Sequence, residues 1–73
     1  MRTNMKNVII QTEYVTLGQL LKMTDCISSG GLAKLYLIEN PTFVNGEIES
    51  RRGRKLYRDD QVKINGVGEF VIK

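Results

Sequence analysis

Residues 49 to 60 read ESRRGRKLYRDD, and within them Arg51, Arg52, Arg54, Lys55 and Arg58 set five cations close together between Glu49 and the pair Asp59 and Asp60. Four of the five are arginines, whose planar guanidinium groups meet phosphate oxygens through paired hydrogen bonds and also stack on bases. Tyr57 adds an aromatic surface of the same kind. Gly53, amid the cations, lets the backbone fold tightly and turn its own N–H groups toward a phosphate. The bland alternative is a solvated charge run whose like charges repel.

A second candidate is SSGGLAK, residues 28 to 34. Gly30 and Gly31 at a helix start would let an anion approach exposed backbone N–H groups, with Lys34 one turn later at its side. The spacing is equally compatible with glycines that only shape a turn between two helices. It is not the G-x-x-x-x-G-K-[ST] pattern that cradles a nucleotide, so no nucleotide cofactor is expected.

The inventory removes other chemistry. The chain has no histidine and one cysteine, Cys26, which excludes a zinc site of the usual Cys and His ligands and any histidine-based triad. Glu47 and Glu49, two apart on an expected strand, share one face and read as solvated carboxylates, since acid–base work would require a pocket around them. Neither an enzyme nor a cofactor or metal site is expected.

The charge totals sharpen the first candidate. The 73 residues carry 11 Lys and Arg against 8 Asp and Glu, a formal +3. Without the five cations of the basic stretch, six cations face eight anions, a balance of −2. One local positive feature thus sits on a mildly acidic body, the distribution of a patch that meets phosphates or an acidic partner. The lone cysteine forbids an intramolecular disulfide and fits a reducing, cytoplasmic setting. No run approaches about 18 apolar residues, and the start MRTNMKNVII lacks a signal-peptide pattern, so neither membrane insertion nor secretion is expected.

These residues need elements to hold them. VIIQTEYV, residues 8 to 15, reads as a first strand. Thr16 then caps a helix, Gln19 completes a capping box, and Val15 and Leu20 take the staple positions. Leu17, Leu20 and Leu21 give that helix an apolar face ending near Asp25. Ser28 and Ser29 signal a second helix with Leu32, Leu35 and Tyr36 in the same pattern and Ala33 and Leu37 beside them. Asn40, suited to a left-handed cap, and Pro41 end it. FVNGEI and VKINGVGEFVI each set Asn-Gly between strand-forming residues, a hairpin signal, although Gly68 could shift the second turn or add a bulge. The expected order is one strand, two helices, then three or four strands in a single α+β domain spanning residues 1–73. The basic stretch falls between the two hairpins.

In this order the span from Thr16 to Ile64 resembles the alpha-L RNA-binding domain named after small-subunit ribosomal protein S-four. The resemblance rests on Leu17, Leu20 and Leu21, on Ser29 and Ala33, on Val44, Asn45 and Gly46, and on Asp60 followed by Val62. Gly30 stands where that family carries an arginine, Asn40 where a glycine is usual, and Asp59 in place of the glycine before Asp60. TLGQLLK, SGGLAK, VNGE and RRGRKLY together are similar to the family's small stand-alone bacterial members, the YaaA type. The resemblance implies two short helices on a small, mostly antiparallel sheet and a cytoplasmic factor that binds structured RNA; a monomer is expected, although no residue pattern names the oligomeric state. It further implies ribosomal RNA or the large ribosomal subunit as partner, in ribosome assembly or maturation.

Arg51, Arg52, Arg54 and Lys55, with Arg58, are then the expected phosphate grip. Gly30, Gly31 and Lys34 form the second contact, and Asn45 ranks lower because a type I′ turn by itself explains it. The competing reading is a protein-interaction module whose arginines dock an acidic partner and whose ribosome association is indirect.

Overall fold

A computed structural model describes residues 5–73. The chain forms strands β1 (Met5–Val8) and β2 (Val15–Thr16), helix α1 (Leu17–Met23), a 3₁₀ turn (Gly30–Leu32) and helix α2 (Ala33–Glu39). Strands β3 (Thr42–Val44), β4 (Glu47–Ile48), β5 (Lys55–Leu56), β6 (Gln61–Ile64) and β7 (Gly68–Ile72) follow. Five strands make one sheet in the order β1-β7-β6-β3-β4, while β2 and β5 pair separately. Among the described residues only β1 and β7 run parallel, so the sheet is mixed and mostly antiparallel. The architecture is α+β, two short helices with a mostly antiparallel sheet, as expected.

Alternation along the strands sorts their residues between faces. Val62, with Val44 and Phe70 as its cross-strand partners, is buried on the inner face beside Ile64 and Ile72. Leu17, Leu20 and Leu21 of α1 are fully buried in the same core. The start of α1 follows the local signals. The Thr16 side chain accepts from the Gln19 amide at 3.2 Å, and the Gln19 side chain accepts from the Thr16 amide at 2.8 Å. At the other end, Asp25 adopts φ 61°, with Asp25 N–H donating to Lys22 O and Cys26 N–H to Leu21 O, the two bonds of a Schellman cap.

Several expectations are corrected. Residues 8 to 15 are not one strand: β1 stops at Val8 and β2 begins at Val15, because the first pairs with β7 and the second with β5 in a different sheet. Five strands, not three or four, follow the helices. The extra one, β5, lies inside the basic stretch.

The buried face of α2 is Ala33 and Leu37, with Tyr36 half-buried, while Leu32 and Leu35 are exposed. Packing against α1, where Ala33 Cβ would lie 3.7 Å from a Cβ on Gly18, selects this side of α2 over the one that carries Leu35. Asn40 has φ −128° and ψ 97°, an extended rather than left-handed cap, and its side-chain amide donates to Tyr36 O at 3.1 Å.

Both Asn-Gly turns form. Asn45 and Gly46 take φ 52° and 86°, the positive pair of a type I′ turn. The second turn stays at Asn65 and Gly66, and Gly68, at φ 148°, pairs with Ile64.

Candidate nucleic-acid interface

Glu49 corrects the expectation of a solvated carboxylate. It lies just beyond β4 and keeps only 7% of its surface exposed. A carboxylate removed from water is strongly disfavoured unless donors replace its hydration, and here five do. The amides of Ser50 and Arg51 donate to Oε2 at 3.1 and 3.0 Å. Arg51 approaches as a fork, Nε to Oε2 at 3.0 Å and Nη2 to Oε1 at 3.2 Å, and Arg54 Nη1 donates to Oε1 at 2.8 Å. The side-chain bonds from Arg51 and then Arg54 outweigh burial and hold the carboxyl well below its usual range, at about 2. The same pairing raises the Arg51 guanidinium. Two arginines that would repel each other are thereby fixed side by side around one anion.

The loop so shaped docks on the start of α1. Arg52 O accepts from the Gly18 amide at 2.8 Å and Arg54 O from the Leu17 amide at 2.9 Å. Together with the Thr16 side chain on Gln19, these satisfy the first three orphan N–H groups of the helix. Gly18 marks the contact: a Cβ there would lie 3.4 Å from Arg52 O, 3.5 Å from Arg52 Cβ and 3.7 Å from Ala33 Cβ, ordinary packing distances. The loop and both helices meet at this glycine.

Beside the junction, Gly30, Lys22 and Arg52, with Gly53, line one open cleft of about 360 Å³. A second depression of about 540 Å³ is lined by Arg51, Gly53, Arg54, Lys55 and Tyr57. Gly53 belongs to both, so the loop is a ridge with a cationic hollow on either side.

Arg51, Arg52, Arg54 and Lys55 therefore come together, and Gly30 joins them across the cleft. Gly31 and Lys34 are exposed but line neither hollow. The 3₁₀ turn that carries the two glycines has Ser29 as its N-cap without a side-chain cap bond. Neither glycine has positive φ. A Cβ built on Gly30 meets nothing within 4 Å, so the fold itself does not require glycine there.

The remaining two candidates have other work. Arg58 donates through Nε to Lys73 O at 3.1 Å and through Nη2 to Ile10 O at 3.0 Å, tying β7's end to the segment after β1. Asn45 donates to Asp60 Oδ1 at 3.1 Å and accepts from the Gln61 amide at 2.9 Å. Asp60 also takes the Tyr57 amide on Oδ2 at 2.8 Å. Asp59, at φ 77°, occupies a backbone conformation that glycine adopts freely.

Sequence reasoning overlooked Lys22, which lies one turn beyond Gly18 and so on the same side of α1. It also overlooked the role of Glu49, for which an acid beside a guanidinium cluster was the available signal.

The sequence profile of the S4 domain matches residues 8–73. The chain belongs to the S4-domain family. It is also similar to a Bacillus subtilis (strain 168) protein described as a probable ribosome maturation protein, RlbA, with 52% identity over 65 residues covering 89% of this chain and 92% of that protein. No solved structure matches the chain. Among the described residues, no helix is long and apolar enough to cross a membrane.

Proposed function

We propose that this S4-domain protein binds structured RNA without catalysing a reaction, and that its target is ribosomal RNA during assembly or maturation of the ribosome. The observation that carries the reading is the Glu49-centred loop: its guanidinium groups are oriented before any ligand arrives, and ordering them costs the complex less. Arg51 remains 76% exposed while held in this way, so its outer donors are free to meet solvent or phosphate.

In this reading Arg51, Arg52, Arg54 and Lys55 grip the phosphates of one strand, and Lys22 with Gly30 receives backbone across the cleft. Gly31 and Lys34 extend the contact along α2. Arg58 and Asn45 hold the frame behind it. An A-form helix offers shape, phosphates and 2′-hydroxyls rather than a readable major groove, which suits a ridge flanked by two hollows. The ribosomal assignment draws on the similarity to RlbA, whose description places that protein in ribosome maturation.

The test is binding of the purified protein to ribosomal RNA fragments across a salt series. About four to five phosphate contacts give a log–log slope of roughly −3 to −4.5. Retention of an acidic partner protein, with no salt-sensitive affinity for RNA, would overturn the proposal in favour of a protein-docking module.

A further inference from the structure

The RNA-binding reading uses the cations and leaves an aromatic feature beside them without a role. Tyr57 is 45% exposed and lines the hollow that Arg51, Arg54 and Lys55 also line. Its ring centroid lies 5.8 Å from that of Tyr14, with the planes tilted by 51°. Lys55 Nζ stands 4.9 Å from the centroid of the Tyr14 ring, within cation–π range.

The backbone beneath is fixed. The Tyr57 amide is held by Asp60 Oδ2 at 2.8 Å, its carbonyl accepts from the Asp60 amide at 3.0 Å, and Leu56 just before it is fully buried in the pairing of β5 with β2. A large ring so anchored yet left open to solvent forgoes burial that would stabilise the fold.

We propose that Tyr57 is a stacking platform for a single unpaired nucleobase, so that the preferred RNA is a helix interrupted by a bulged or looped-out nucleotide. This rests on the RNA-binding reading above. Every base has a π-face, and an aromatic side chain beside a cationic groove receives it with little regard to sequence. Tyr14 packs beside the ring at a tilt, while Arg51, Arg54 and Lys55 take the phosphates on either side of the extruded nucleotide. A perfectly paired helix has no free base to offer and reaches only the cations.

The experiment compares two RNA hairpins, identical except that one carries a single bulged fluorescent adenine analogue and the other is fully paired. The intact wild-type protein should bind the bulged hairpin about 5- to 100-fold more tightly, the range of one base stacked on one aromatic side chain, and should quench the analogue on binding. Tyr57→Leu should remove both the preference and the quenching while leaving affinity for the paired hairpin unchanged. Tyr57→Phe should keep all three.

Equal wild-type affinity for the two hairpins with no quenching would overturn the stacking proposal and leave RNA binding intact. Equal loss of affinity for both hairpins in Tyr57→Leu would overturn it too, by reducing the ring to a structural support. Binding of neither hairpin at low salt would instead overturn the RNA-binding reading itself. The hairpin comparison on the wild-type chain decides the matter even if a Tyr57 variant fails to fold.

Discussion

The loop from Glu49 to Lys55 and the turn from Ser29 to Leu32 both border the cleft, and the chain has treated them in opposite ways. In the loop, one buried carboxylate collects two guanidinium groups and two amides, and two loop carbonyls are spent on the first amides of α1. In the turn, the would-be cap Ser29 makes no side-chain bond and open space surrounds a Cβ placed on Gly30. A cationic surface therefore need not be a flexible one. Here charge is concentrated on a loop held by its own carboxylate and by α1, and the facing wall is left small and bare.

If the loop is the principal grip, removing its guanidinium groups gives the largest effect. Replacing Arg51, Arg52 and Arg54 together with alanine is expected to lower RNA affinity by about 100- to 1,000-fold and to flatten the salt slope by roughly 2 to 3. Filter binding across a salt series measures both. An unchanged slope would mean that the RNA contact lies elsewhere on the surface and that the loop is only a solvated charge run.

The next effect concerns how the loop is held. Glu49→Gln removes the anion that offsets two neighbouring arginines, and a cost of about 1–3 kcal/mol in folding stability is expected, discounted for the exposure of Arg51. The pH dependence has a definite sign. The Glu49 pKa is depressed in the folded state, from an ordinary 4.5 to about 2, so its contribution is fully present above about pH 4.5 and is lost as pH falls toward 2. Urea unfolding between pH 2 and 7 should show this loss in the wild type, and Glu49→Gln should lack that component. Identical pH profiles would mean that the carboxylate does not organise the loop.

The bare wall makes a smaller prediction in the opposite direction. Because Gly30 has room for a side chain, Gly30→Arg should fold normally and add a cation across the cleft from Arg52. An affinity gain of about 3- to 10-fold for RNA is expected, the scale of one partly solvated charged contact. A loss of affinity would mean that RNA backbone approaches Gly30 too closely for any side chain, and that the glycine is a contact in its own right.

How much of this was legible follows the sequence distance over which each interaction acts. The Thr16–Gln19 capping box and the Asn45–Gly46 turn are complete within four residues, and both formed as read. The leucine face of α1 was legible for the same reason. What escaped depended on partners far along the chain. Strand β5 exists because Leu56 meets Val15, 41 residues earlier. The buried side of α2 was misread because packing of Ala33 beside Gly18 chose it over the more apolar Leu32 and Leu35. The basic residues could be named from the sequence. That Arg58 would clasp Ile10 and Lys73 instead of lining the hollow could not.

Gly18 gives the finest test of the contrast, because it is where the loop touches the helix. Its would-be Cβ contacts, 3.4 and 3.5 Å to Arg52, are close but ordinary. Alanine should therefore fit without displacing the loop, and its better helix propensity should offset any crowding, for a net change within about 1 kcal/mol. Gly18→Ala is expected to leave RNA affinity within about twofold of wild type while chemical denaturation registers the small stability change. A clear fall in affinity at unchanged stability would show that a few tenths of an ångström at Arg52 matter to the ligand. The loop would then be a gauge set against α1, and not merely a set of charges that happens to rest there.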